Sequence, residues 1–215
     1  MKIAVIGATG FVGKNITNEL ISRNHSVIGI SRNAESSNKS NLTNVSVDVL
    51  NVNELAEKLK GSDMVISAFN AGWKNPNIYN DFLAGSKAIQ EAVKIAGVNR
   101  FIVIGGAGSL YVADGIQAVD TPNFPKEIYP GASAARDYLN EIKNENELDW
   151  VFFSPAIEMH PGITKGRTGK YRLGGDSPIF DENHKSVLSV EDLAVVIADE
   201  VEQPKHHKTR FTAGY

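Results

Sequence analysis

Three glycines, Gly7, Gly10 and Gly13, stand three residues apart in the stretch "KIAVIGATGFVGKN". They follow an apolar run and open a segment in which Val12, Ile16 and Leu20 recur at i, i+4 and i+8. The order is therefore strand, turn, helix, which is the setting that gives such a triplet chemical meaning. The first glycine permits a tight turn, the second lets backbone N–H groups approach a diphosphate, and the third lets the helix lie close on the sheet. The partial positive charge of a helix N-terminus favours an anion there without any lysine. Gly7, Ala8, Thr9, Gly10, Phe11, Val12 and Gly13 are thus the expected dinucleotide contacts. Gly13-Lys14-Asn15 lacks the hydroxyl that ends a nucleotide-triphosphate loop, and the upstream glycine spacing is wrong for one. An NTPase is not expected.

The second strand, "HSVIGIS", bears on which dinucleotide. An NAD site usually places an acid roughly 20 residues beyond the loop, where it binds the ribose hydroxyls. Here the strand runs into Ser31-Arg32-Asn33, and no acid occurs before Glu35. Arg32 would meet a 2′-phosphate, with Ser31 donating beside it, so NADPH is the expected cofactor. Asp48 and Val49, after the third strand, would take the adenine amino group and ring face; the alternative for Asp48 is an ordinary acid at the start of a short helix. Phe69, Asn70 and Ala71 close the fourth strand, on the side where such sheets bind ligands.

The elements that must position these groups alternate along the chain. Apolar runs "KIAVIG", "HSVIGIS", "NVSVDV", "DMVISAF", "RFIVIGG" and "DWVFFSP" are separated by helical patterns, among them "NELAEKLKG" and segments near 80–96 and 131–145. Strands that are apolar throughout, with helices between, predict a doubly wound parallel α/β sheet of Rossmann type. The last third differs: a basic Gly-rich stretch, "KGRTGKYRLGG", precedes a capping box at Ser189–Asp192, a helix, and a last short strand in "TRFTAGY". The expectation is one nucleotide-binding domain over 1–215, with 156–215 forming a small lobe on the substrate side.

Composition narrows the classes further. At 42% apolar and 22% charged, the 215 residues are ordinary for a globular chain. A net charge of -3 gives no general attraction to nucleic acid. The absence of cysteine excludes disulfides, thiolate catalysis and thiolate metal sites. Lys2 is followed by only four apolar residues before Gly7, too few for a signal-peptide core, and no apolar run is of membrane-spanning length. A cytoplasmic protein with a small-molecule partner is expected. No metal site is expected either: His206 and His207 are adjacent on an extended segment and point to opposite faces.

"GATGFVG", the arginine ending the second strand and "VEDLA" in the late helix together resemble the atypical short-chain dehydrogenase/reductases. "GGAGSL" from Gly105, "DWVFFSPA" from Asp149, "GRTGKYRLG" from Gly166 and the final "RFTAGY" narrow this to a group that includes candidate NADH-flavin reductases, allied to NmrA-like proteins and biliverdin-IXβ reductase. The resemblance covers essentially the whole chain. It implies a Rossmann core with the nicotinamide near the ends of the fourth to sixth strands. Gly106 through Ser109, with Pro155 and Ala156, would then flank the ring.

One feature of the wider family is missing. Its members use Y-x-x-x-K on a helix, but Tyr129 is followed at i+4 by Ser133, and Tyr138 by Ile142. Phenols ordinarily ionise near about 10, so without the lysine, alcohol dehydrogenation and sugar epimerisation by the usual route are disfavoured. Reduction of a flavin or quinone demands less, chiefly two flat rings held face to face. Flavin would then be a substrate rather than a held group. Ser109 and Tyr129 are the candidate donors to the acceptor, Tyr129 being expected just ahead of its helix. Trp73 and the long loop from Tyr111 to Tyr129 would cover the site. Lys165, Arg167, Lys170 and Arg172 read as a solvated basic hairpin, and His160 as a turn residue. The main alternative is a non-catalytic NADP(H) sensor of NmrA-like type that binds a protein partner; a reductase or isomerase for another small metabolite is a third.

Overall fold

The computed structural model describes all 215 residues. In chain order, β1 (Lys2–Ile6), α1 (Phe11–Ser22), β2 (Ser26–Ser31), β3 (Leu42–Ser46), α2 (Val52–Leu59) and β4 (Met64–Ser67) form the first half. Then come α3 (Ile78–Ile95), β5 (Arg100–Ile104), a hairpin of β6 (Tyr111–Ala113) and β7 (Ile116–Gln117), α4 (Tyr129–Ile142) and β8 (Asp149–Ser154). The chain closes with β9 (Arg172–Gly174), α5 (Val190–Glu202) and β10 (Thr209–Gly214). Eight strands make one sheet in the order β3-β2-β1-β4-β5-β8-β10-β9, parallel except where β9 runs against β10. Strand order reverses between β1 and β4, which opens a crevice at their carboxyl ends.

Strand periodicity splits the core in two. Ala4 and Ile6 face α2, α3 and α4 in one buried cluster, whereas Ile3 and Val5 face α1 and α5 in the other. Because both faces are covered, the strands carry no polar alternation.

The last third departs from the expected lobe in one respect. Helix α5 packs on α1, and β10 pairs parallel with β8 from Thr209↔Val151 onward, so both belong to the Rossmann layers. Between β8 and α5 only β9 joins the sheet, at its edge, and the rest of that segment stands apart. Lys165, Arg167, Lys170 and Arg172 are all exposed there, as expected of a solvated basic stretch, but three of them also make contacts. Arg167 makes a two-pronged contact with Glu19 on α1 at 2.9 and 2.8 Å, Lys165 lies 3.6 Å from the centre of the Tyr215 ring, and Arg172 donates to the carbonyls of Phe180 and Tyr215.

The hub of this segment is Asp192, fully buried, next to the Ser189 cap of α5. Its carboxylate accepts from Thr168 N–H and Gly169 N–H at 2.8 Å, and from the Thr168 and Tyr215 hydroxyls at 2.6 Å. Burial alone would push this carboxyl up, but the donors from Thr168, Tyr215 and Gly169 outweigh it and hold the group below its ordinary value. The stability it contributes is therefore present above the unfolded value near about 4 and is lost as pH falls through the lower folded value. Asp192→Asn should lower stability at neutral pH by about 1.5–3 kcal/mol, the scale of a hydrogen bond to a charged group. It should also flatten the acid limb of stability against pH. Thermal unfolding of both proteins from neutral to acid pH checks this; parallel acid limbs would contradict it.

Candidate active site

The turn after β1 is set by its glycines. Gly7 has φ +79°, and a Cβ there would stand 2.5 Å from the Ala68 carbonyl oxygen. A Cβ on Gly13 would stand 2.1 Å from the Gly7 carbonyl oxygen, so α1 is packed against the turn at a distance only glycine permits. The N–H groups of Gly7 and Ala8 donate to Ile30 C=O at 2.8 and 3.2 Å, which fixes the turn beside the end of β2. Gly10 caps α1 without any side-chain cap, and no acid stands in the first turn. The N–H groups of Phe11, Val12 and Gly13 meet no acceptor. A helix end with free donors and no cap fits an external anion such as a diphosphate.

Beside this cradle, the Ser31 hydroxyl is buried with no partner, and Arg32 is exposed and enters no ion pair. An orphaned hydroxyl beside a free guanidinium leaves two donors that a ligand could complete. Strand β3 ends at Ser46, earlier than its apolar pattern implied, and leaves Asp48 exposed with one carboxylate oxygen on Leu50 N–H at 3.0 Å. Val49 is 8% exposed, with its side chain in the core. After β4, the Phe69 ring turns away into α3, stacked on Phe82 at 6.0 Å and seated against Gly85, so only its backbone can face a ligand. Asn70 Oδ1 accepts from Gly72 N–H at 2.7 Å, and Ala71 packs at the core margin.

Beyond β5, Gly105 lies on the Phe152 ring, where a Cβ would come within 1.9 Å. Gly106 is half-buried; Pro155 and Ala156, following β8, are buried. Ser109 is fully enclosed. Its hydroxyl donates to Gly106 C=O at 2.8 Å and lies 2.9 Å from Ser154 Oγ. This corrects the expectation of a donor open to the acceptor: the hydroxyl holds the loop together. Tyr129 is corrected too, since it is the first residue of α4 rather than a residue ahead of it, 45% exposed, with Phe124 edge-on at 6.3 Å. The expected loop from Tyr111 to Tyr129 carries the β6–β7 hairpin and a 3-10 turn at Ala118–Asp120, with Gln117 and Val119 buried.

Two groups that the sequence did not single out support this loop. Arg210 and Gln117 both donate to Ser109 C=O, Gln117 at 2.7 Å, and Arg210 also grips the Asp176 carboxylate. The one signal was a charged residue inside the otherwise apolar "RFTAGY". His206 and His207 pair with separate carboxylates, Glu200 at 2.7 Å and Asp149 at 3.0 Å, and His160 sits in a turn with Gly162 N–H on its Nδ1. No helix is long and apolar enough to cross a membrane.

Comparison with known proteins agrees with this geometry. The chain is 36% identical to the Bacillus subtilis protein YwnB over 99% of its own length and 97% of the relative. The solved structure of a candidate epimerase from Bacteroides thetaiotaomicron superposes with a TM-score of 0.91 at 45% identity, covering 100% of this chain and 96% of that one. A candidate NADH-flavin reductase from Streptococcus pneumoniae gives 0.86 at 35% identity, covering 100% and 99%. A family model described as NAD(P)H-binding matches residues 7–204. The chain belongs to this NAD(P)H-binding family of Rossmann proteins, in keeping with its resemblance to the atypical short-chain dehydrogenase/reductases.

Proposed function

We propose that the protein is an NADPH-dependent reductase that delivers hydride to a flat acceptor of flavin or quinone type. The observation that carries this reading is the first turn of α4. It opens with Tyr129, 45% exposed, with Ser133 in place of a lysine one turn on, and Ser133 Oγ is committed to Tyr129 C=O at 2.8 Å. Without an acid–base couple, substrates that need a hydroxyl proton removed are poorly served, whereas a conjugated ring that accepts hydride directly needs mainly orientation. Bound NADPH would supply the hydride.

The chain's own residues then have separable tasks. The cradle Gly7–Gly13 holds the diphosphate, Ser31 and Arg32 hold the 2′-phosphate, and Asp48 with the backbone of Val49 meets the adenine. The backbone of Phe69, Asn70 and Ala71 lines the ribose. Gly106, Pro155 and Ala156 flank the nicotinamide, and the Tyr129 hydroxyl donates a hydrogen bond to the acceptor. Ser109 positions the Gly106 carbonyl. The segment between β8 and α5 covers the acceptor side. The resemblance to a candidate NADH-flavin reductase supports the acceptor class.

Stopped-flow oxidation of NADPH with FMN, riboflavin and simple quinones tests the proposal. Saturable turnover well above the non-enzymatic rate is expected for at least one acceptor. If NADPH binds tightly and every acceptor stays at background, the reductase reading gives way to the sensor with a protein partner.

A further inference from the structure

We propose that the acceptor docks face-on against the indole of Trp73, which Gly131 seats on the first turn of α4. This rests on the reductase reading above and names the wall that selects a planar ring.

The chain has two tryptophans with opposite fates. Trp150 is 3% exposed, its indole N–H on Glu145 C=O. Trp73, between β4 and α3, is 59% exposed. An indole left in water forgoes a large apolar burial, and the sequence around it makes no provision for hiding it.

Its loop is not slack. Gly72 has φ +102°, its N–H held by Asn70 Oδ1 at 2.7 Å and its C=O by Asn75 N–H at 2.9 Å. Asn75 and Asn77 in turn donate to the two carboxylate oxygens of Asp81 on α3, at 2.7 and 2.6 Å. The indole is thus carried on a braced turn rather than displayed by a floppy one. Preorganisation of this kind lowers the entropy lost on binding.

Its placement is equally specific. A Cβ on Gly131 would stand 2.8 Å from Cζ3 of Trp73 and 2.9 Å from Cδ1 of Ile78, so the absent side chain is what lets the ring rest on α4. Trp73 thus lies in the loop after the carboxyl end of β4 and touches the first turn of α4, on the side where such sheets bind ligands. Tyr129, two residues before Gly131, is 45% exposed and backed by Phe124. Residues two apart on a helix point to different faces, so the ring seated on Gly131 is that of Trp73, while Tyr129 packs on Phe124. An exposed indole face favours planar, conjugated, electron-poor rings through dispersion and the ring quadrupole.

The full chain, saturated with NADP+ so that no hydride moves, is titrated into dilute riboflavin while quenching of the flavin's own emission is followed, a signal present whichever tryptophan a variant keeps. Wild type should quench saturably. Trp73→Leu should raise the quenching midpoint roughly 10-fold, within the span of losing one ring-on-ring contact. In turnover it should raise the riboflavin KM by a similar factor and leave the NADPH KM unchanged. Trp73→Phe, which keeps a ring, should recover most of the affinity, and Gly131→Ala should weaken riboflavin several-fold by unseating the indole. An unchanged midpoint and KM in Trp73→Leu overturns the proposal. Quenching without turnover would retain the wall and remove the reductase; turnover indifferent to Trp73→Leu would do the reverse; absence of both removes both.

Discussion

Gly13→Ala is expected to weaken NADPH binding by about 100-fold, toward the upper end of what overpacking by one methyl group costs. The added Cβ would lie 2.1 Å from the Gly7 carbonyl oxygen and 2.7 Å from its carbon. Both are backbone atoms, so no flexible side chain can swing aside. Either α1 lifts off the turn or the turn unwinds. In each case the free N–H groups of Phe11, Val12 and Gly13 lose their common aim, and that aim is what makes the helix end an anion site. Thermal unfolding supplies a second reading: a ligand at free concentration L that binds only the folded state stabilises it by RT ln(1 + L/Kd), so at NADPH near the wild-type Kd the gain in Tm should largely vanish. Gly175→Ala is the matched control, because a Cβ there meets nothing within 4 Å. Calorimetric titration of both variants decides the matter. Wild-type affinity in Gly13→Ala would mean that the close approach of helix and turn is not needed for the cofactor.

What could be read from the sequence was what depends on neighbours in the chain. The apolar strands and the glycine triplet are local signals, and the sheet and its first turn follow from them. Tyr129 is expected ahead of its helix because a residue before proline is usually pushed out of helical conformation, yet it is the first residue of α4. Pro130 instead occupies the first turn of α4, where its missing N–H costs nothing. The capping box at Ser189 was legible, but the role of Asp192 as anchor was not, since its donors Thr168, Gly169 and Tyr215 come from two distant segments. The same reason hid the place of β10, whose partner β8 ends more than fifty residues earlier. Ser109 and Phe69 show the limit at the candidate site itself: position along the chain put both beside the crevice, and packing turned their side chains into the protein.

Arg32→Ala should weaken NADPH by roughly 10- to 100-fold and leave NADH nearly unchanged, as removal of a charge-assisted contact of about 1.5–3 kcal/mol predicts. The asymmetry follows from the site. Arg32 is exposed, makes no internal ion pair and supports nothing else, so its removal costs the fold little. Ser31 sharpens the case, because its buried hydroxyl lacks any partner inside the protein, and an unpaired buried hydroxyl is tolerated most readily where a ligand completes it. If both groups meet one phosphate, Ser31→Ala and Arg32→Ala should be non-additive toward NADPH and additive toward NADH. Because the guanidinium is solvent-exposed, added salt should weaken NADPH binding to wild type and have a smaller effect on Arg32→Ala. Equal losses for NADPH and NADH would sink this assignment and return the choice of cofactor to the adenine end, where Asp48 keeps a free carboxylate oxygen.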